Sequence, residues 1–524
     1  MHSREHIESV SGGELAGTVH SAGRRLPVAE LNQRAARAAS MLAATGARPG
    51  RAVALLLRND VAFLEALFAA HFVGAYAVPI NWHFKADEVD HILRDCGATH
   101  LVVHSDLART GLGRAPDGVT VLCVPTPAEV RAAYGISAPE ASVPAGLPEW
   151  DGWLGRGTPG RAPGAPAGGT MSYTSGTTGR PKGVRRQPVS AERRRAVAEQ
   201  SQRWFGNRPG MRTAIVGPLY HSVQNTYAAA AVRAPGSTVV LVPRFDAEGL
   251  LGLVETHRLT HLHLVPVMMQ RLVRLPAGVR ARYDLSSLEF VVHGSAPCPP
   301  HVKRQLIAWW GPVVHEYYGT SEAGMVSRAS SEEWLRREGT VGRAWPGRTV
   351  RIYDERGRVV PPGVEGEVYM SLGDTPDFTY QNDGEKRASI EREGLITSGD
   401  VGYLDEDGYL YLRDRKSDVV ISGGVNIYPA EIEAALAGHP AVQDCAVFGV
   451  PDDEYGEALM AVVEPRPGER VAAEDLRPWL TARLASFKVP RTFAVAGSLP
   501  RDESGKIRKR LLRDPHWTGT GRRI

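Results

Sequence analysis

The sequence predicts an α/β protein: a large N-terminal region of several α/β subdomains on parallel sheets, followed by a small α+β domain. Three observations carry this. The first hundred residues alternate helical and strand periods, the alternation resumes after a Pro/Gly/Ala-rich stretch, and the last hundred residues form a separate pattern. At 524 residues the chain is several times longer than one core needs, so two or more domains are expected.

Val28, Leu31, Ala35, Ala38 and Leu42 mark one face of a helix ended by Gly46, and the apolar run Val53 to Leu57 reads as a buried strand. A helix near Val61 to Val73, a strand near Tyr76 to Ile80, a helix near Asp87 to Cys96 and a strand at Leu101 to Val103 follow. Such alternation implies parallel βαβ units. Pro125 to Gly169 has no sustained period and reads as a long surface connection. Beyond it, Val239 to Val242, His261 to Val265 and Phe290 to Val292 read as strands, with a helix at Ala247 to His257. The final unit holds strands at Val442 to Val450 and Ala458 to Val463, a helix at Ala473 to Ala485 and a basic end, Lys506 to Arg513.

Composition narrows the function. With 43% apolar and 23% charged residues the chain is neither disordered nor fibrous. The net charge is +4, and only eight of the 62 basic residues are Lys, a bias without a basic stripe interleaved with aromatics; no nucleic-acid partner is expected. The apolar stretch Val61 to Ile80 is interrupted by Glu65 and His71 and closed by Pro79, which argues against a membrane span. Met1 to Gly12 carries Glu5 and Glu8 without an apolar h-region, so a cytoplasmic location is expected. Cys96, Cys123, Cys298 and Cys445 lie far apart, with neither zinc-ligand spacing nor a disulfide framework.

The most informative segment is Thr170-Met-Ser-Tyr-Thr-Ser-Gly-Thr-Thr-Gly-Arg-Pro-Lys-Gly183. Thr174, Ser175, Thr177 and Thr178, interleaved with Gly176 and Gly179, give a loop whose N–H groups and hydroxyls converge on phosphate oxygens, and Lys182 adds a cation. A triphosphate is the expected guest. The residue after Lys182 is Gly183 rather than Ser or Thr, which excludes a Walker A loop, and no early G-x-G-x-x-G opens a helix, which disfavours a dinucleotide oxidoreductase.

This loop resembles the signature of the adenylate-forming superfamily, in its acyl-CoA synthetase form acting on fatty or aryl acids. Four further motifs of that family follow in order: Tyr317-Tyr-Gly-Thr-Ser-Glu-Ala-Gly324, Thr397-Ser-Gly-Asp-Val-Gly-Tyr403, the segment Arg413 to Glu433, and Leu499-Pro-Arg-Asp-Glu-Ser-Gly-Lys506. The resemblance spans nearly the whole chain. It implies an N-terminal domain over 1–414 that binds ATP and acid, a mobile C-terminal domain over 415–524, and an active site between them.

Each motif has a reading of its own beside the one the resemblance implies. Glu322, flanked by Thr320 and Ser321, is a hard oxygen ligand suited to Mg²⁺, or else a solvated loop glutamate. The resemblance gives Glu322 to the metal, Thr320 and Ser321 to the α-phosphate side, and Glu316 and Tyr317 to the adenine, with Tyr318 and Gly319 also among the expected cofactor-binding residues. Asp400 in a Ser-Gly-Asp turn is an acceptor-only group for ribose hydroxyls, or an Asx-turn residue. The resemblance assigns Asp400 and Arg415 to the ribose. Lys506 beside Arg508, Lys509 and Arg510 reads alone as a solvated tail residue; the matching motif makes it the cation at the reacting carboxylate and α-phosphate.

Tyr220 and His221 match the family position that closes the acid pocket, where a packed core histidine is the alternative. Gln224 and Asn225 then suggest polar contacts to the acid, or amides turned into the scaffold, and Met325 joins the substrate pocket by resemblance. Gly294, Ser295 and Ala296 resemble the loop shared by the adenine and acyl pockets. Ser422, Gly423 and Gly424 resemble the loop that relatives swing toward pantetheine, and Ser417 stands where many relatives carry a charged hinge residue.

The expected function is therefore ATP-dependent carboxylic acid–CoA ligation through an acyl-adenylate with release of pyrophosphate, on an aromatic or medium-size acid. ATP, Mg²⁺ and coenzyme A are the expected cofactors, and a monomer or homodimer the expected assembly. The alternatives are amide synthesis, carrier-protein loading, or nitrite activation for diazotisation.

Overall fold

The computed structural model describes residues 17–21, 23–112, 114–160, 169–174, 181–422, 425–501 and 506–518, without the side chains of Thr174 and Ala191. The chain divides into two compact units. The first is Met1–Leu264 with Leu275–Val292 and Asp374–Ser389; the second is Val265–Arg274 with His293–Gly373 and Ile390–Ile524.

The first unit is built on parallel sheets. Ala52–Leu56 lies between Tyr76–Pro79 and Ala98–His104, and Thr120–Val124 extends the sheet, all parallel. The strands are continuous apolar runs because helices cover both faces; Val61–Phe72 is buried over almost its whole circumference. A second sheet sets Arg212–Ile215 parallel to both Thr238–Leu241 and His261–Leu264, and the hairpin Thr18–Ser21/Arg24–Pro27 closes its edge. A small antiparallel sheet joins Ser172–Thr174, Lys182–Arg186 and Phe378–Tyr380.

The stretch from Pro125 to Gly169 departs from the expected surface connection. It contains helices Ala128–Tyr134 and Trp150–Leu154, and Trp150, Trp153 and Leu154 are buried. Trp150 Nε1 donates to Glu65 Oε2 at 2.7 Å, and Arg34 bridges Glu65 and Asp151. Two large apolar side chains and one buried carboxylate anchor a segment whose composition shows no period.

In the second unit, strand Val314–Thr320 forms a hairpin with Gly324–Ala329. A separate sheet runs Val350–Tyr353, Gly366–Met370, Leu395–Leu404, with Leu410–Arg415 also on the last of these. The C-terminal part pairs Val442–Asp452 with Gly456–Pro465 and adds Thr492–Val495 in parallel. Helices Pro429–Ala437 and Ala473–Thr481 cover it through Ile432, Leu436, Leu476 and Leu480. The latter helix stops short of Ala485, and a 3-10 turn at Ser486–Lys488 follows. Among the described residues, no helix is long and apolar enough to cross a membrane.

Candidate active site

In the second unit the hairpin brings the predicted nucleotide and metal residues 316–322 onto one short piece of backbone. Its register shifts between Tyr318 and Gly319, and Met325 lies opposite Gly319. A Cβ on Gly319 would stand 2.3 Å from Gly324 O, so only glycine allows this close approach. Thr320 Oγ1 accepts from Ala323 N at 2.9 Å, which fixes the turn carrying the half-buried Ser321 and Glu322.

Gly294, Ser295 and Ala296 follow strand Phe290–His293. A Cβ on Gly294 would lie 2.6 Å from the Tyr317 ring. Ser295 takes φ +72° and its Oγ sits 3.2 Å from Tyr317 Oη. A non-glycine residue in the left-handed region costs of order 1–3 kcal/mol, a strain concentrated at functional sites. Burial pushes the Tyr317 phenol pKa up, so it remains a neutral donor or acceptor.

Asp400 lies in the strand Leu395–Leu404, directly opposite Arg415, and not in a turn as expected; Gly399 at φ +80° supplies the local bend. The carboxylate is buried and its Oδ2 accepts from Tyr318 Oη at 2.6 Å and from Ser398 Oγ at 2.7 Å. Arg415 Nε is 3.4 Å from the other oxygen. Burial, then the Asp400 charge, push the Tyr318 phenol well up, so it stays protonated and donates. Asp400, expected at the ribose, and Tyr318, expected among the cofactor-binding residues, thus form one network.

Of the predicted phosphate loop, Ser175, Gly176, Thr177, Thr178 and Gly179 and the Thr174 side chain lie outside the described residues. Lys182 is described, in a strand paired with Ser172–Thr174. Its Nζ is 2.9 Å from Asp383 Oδ2, so the cation expected for phosphates is engaged by a carboxylate.

The Tyr220 and His221 rings meet tilted, with centroids 4.5 Å apart, and His221 holds the N-terminal boundary position of helix Ser222–Arg233. Buried Asn59 ties their loop down: its Nδ2 donates to Gly217 O and Val242 O, both at 2.9 Å, and its Oδ1 accepts from Leu219 N at 2.8 Å. Of the two readings of Gln224 and Asn225, the contacts are those of amides turned into the scaffold. Both are buried, Gln224 Nε2 stands 2.9 Å from His263 Nδ1, and Asn225 Nδ2 donates to Leu219 O at 3.4 Å. Gln224 thus meets strand His261–Leu264 and Asn225 the loop before its own helix, and burial holds His263 neutral, its pKa lowered to about 3. Gln224→Leu is therefore expected to lower stability by about 1–3 kcal/mol through loss of a buried hydrogen bond, leaving acid selectivity unchanged. Thermal melts and specificity constants for hydroxylated and unsubstituted aryl acids check this; altered selectivity would return Gln224 to the pocket.

In the C-terminal segment Lys506 is exposed, whereas Lys509, three residues on, is paired with Glu433 at 2.8 Å. Burial pulls the Lys509 ammonium down, but the Glu433 and Asp414 charges outweigh it and hold its pKa up. The basic end thus holds one half-buried, ion-paired lysine and one exposed lysine. Ser422 ends strand Val420–Ser422; Gly423 and Gly424 lie outside the described residues.

Lys303, Asp383, Ser398, His263 and Asn59 were missed from sequence. Only Lys303 left a signal: it lies on the apolar stripe Val302, Leu306, Ile307 of helix Pro300–Trp310.

With this geometry in view, residues 12–374 match the AMP-binding enzyme family and residues 431–506 the AMP-binding enzyme C-terminal domain. A feruloyl-CoA synthase of Amycolatopsis sp is 35% identical over 511 residues, 95% of each chain. The amide bond synthetase McbA of Marinactinospora thermotolerans superposes with TM-score 0.80 at 28% identity, over 96% of this chain and 98% of that one. An O-succinylbenzoate coenzyme A synthetase of Bacillus subtilis, solved with ATP and magnesium ion, gives 0.78 at 27%, over 97% of both chains. The chain belongs to the AMP-binding enzyme family, the adenylate-forming superfamily, and is an AMP-forming ligase of the acyl-CoA synthetase type.

Proposed function

We propose that the chain ligates an aromatic carboxylic acid to coenzyme A in the cytoplasm, with residues 1–414 binding ATP and acid and 415–524 acting as the mobile domain. Supporting the aromatic acid are the feruloyl-CoA and O-succinylbenzoate-CoA relatives. The observation that carries the nucleotide reading is the buried Asp400 carboxylate, already bonded to Tyr318 and Ser398 and flanked by Arg415. An acceptor-only group held in that way suits a pair of ribose hydroxyls.

In this reading Gly294, Ser295, Ala296, Glu316, Tyr317, Tyr318 and Gly319 receive the adenine, Asp400 and Arg415 the ribose, and the Thr174–Gly179 loop with Thr320 and Ser321 the phosphates. The Gly294 cradle, which a Cβ would fill, and the hard oxygens of Glu322 fit nucleotide and metal. Bound Mg²⁺, held by Glu322, supplies charge shielding for the triphosphate.

The acid, closed in by Tyr220, His221 and Met325, attacks the α-phosphorus with one carboxylate oxygen, and the bond to pyrophosphate breaks. Lys506 offsets the negative charge that builds there. The thiolate of coenzyme A then attacks the acyl carbon and AMP departs, with Ser422, Gly423 and Gly424 lining the approach. No side-chain nucleophile is needed, so Ser175, His221 and Asp400 are not a triad.

Pyrophosphate release across aryl, short-chain and long-chain acids and nitrite, with and without coenzyme A, tests this. Release with a cinnamic- or benzoic-type acid and a coenzyme A thioester product is expected; preference for palmitate would overturn the acid assignment. The amide synthetase neighbour motivates the second reading, in which amine replaces thiol and adenylate forms but coenzyme A is not consumed.

A further inference from the structure

Helix Pro300–Trp310 buries Val302, Lys303, Leu306 and Ile307 along one stripe. A lysine there is costly unless its charge is met. Lys303 Nζ lies 2.7 Å from Glu316 Oε2, with the two side chains 0% and 9% exposed, and 4.7 Å over the Trp334 ring. His293 Nε2 stands 3.7 Å from the same carboxylate oxygen. Replacing a buried ion pair by apolar residues of similar volume is often neutral or stabilising, so stability does not account for this pair.

Its place in the hairpin does. Alternation along Val314–Thr320 sets Glu316 and Tyr318 on the same face, and Tyr318 donates to Asp400. Glu316 therefore lies two residues along the strand from Tyr318, the donor to the proposed ribose acceptor Asp400. We propose that Lys303 is a positioning residue that pins the Glu316 carboxylate as an acceptor-only group at the base edge, and so selects a 6-aminopurine triphosphate over a 6-oxopurine triphosphate. This rests on the nucleotide site described under Proposed function. A 6-amino group donates to a carboxylate; a 6-oxo group turns lone pairs toward it. With Oε2 held by Lys303, the other oxygen of Glu316 keeps one orientation.

The test is calorimetric binding of Mg·ATP and Mg·ITP, which differ at C6, to the full chain, without any acid. Wild type is expected to prefer ATP by about tenfold or more, the scale of one hydrogen bond to a charged group. Lys303→Met should weaken ATP about tenfold and bring the two affinities close together. In Lys303→Met/Glu316→Gln no buried charge is left unmatched, so thermal stability returns; its amide serves both bases, so ATP and ITP bind alike. If the single variant does not fold, the double variant decides alone: a wild-type ATP:ITP ratio in it overturns the proposal. A wild-type chain that binds neither nucleotide overturns the nucleotide site itself, whereas ATP binding with an unchanged ratio in the variants overturns only the role of Lys303.

Discussion

Lys506→Ala is expected to slow acyl-adenylate formation by roughly 10² to 10³, the effect of removing one fixed charge-stabilising donor from a transition state. Thioester formation from supplied acyl-adenylate should be largely spared, because the developing charge on the α-phosphate belongs to the first half-reaction alone. The contrast with Lys509 makes the experiment clean. Lys509 is tied to Glu433 and surrounded by the Asp414 charge, so its loss is read in stability. Lys506 is exposed, and its loss should leave the melting temperature nearly unchanged. Separate pyrophosphate-exchange and thiolation assays check both points. Equal losses in the two half-reactions, or none in the first, would remove Lys506 from the chemistry.

Asp400→Ala is expected to weaken ATP binding by about 1.5–3 kcal/mol, roughly ten- to a hundred-and-fifty-fold, the scale of hydrogen bonds to a charged group. The substitution also strips Tyr318 and Ser398 of their shared acceptor. A stability change alone therefore does not identify a ribose contact. Asp400→Asn keeps an acceptor for Tyr318 while removing the charge. Comparing ATP with 2′,3′-dideoxy-ATP separates the roles: wild type should prefer ATP, and both variants should lose most of that preference. If Asp400→Ala prefers ATP as strongly as wild type does, Asp400 serves only the strand network.

The sequence by itself determined the local matters. Periods of apolar residues placed Val28–Ala44, Ala52–Leu56, Val61–Phe72 and Tyr76–Pro79 to within a few residues, because each element's face is set by spacing along the chain. Five ordered motifs also named the family and its cofactors, since chemistry of this kind needs particular residue types at short fixed separations. Where a side chain goes after it leaves the backbone was decided elsewhere. Gln224 reads as a substrate contact until strand His261–Leu264 lies beneath it and His263 takes its amide. Lys182 is expected at the phosphates, and only the fold shows that its Nζ meets Asp383, from two hundred residues away, beside the strand Phe378–Tyr380.

Trp150 sits in a stretch with no period, and its indole N–H is met by Glu65, a partner 85 residues away that no local pattern announces. Lys303 and Glu316, thirteen residues apart on a helix and a strand, become one buried ion pair only when that helix packs its apolar stripe inward. Periodicity and motif are properties of neighbours in sequence. The partner of a buried charge or amide is a property of which distant surfaces the packed core leaves in contact, and only the tertiary structure sets that.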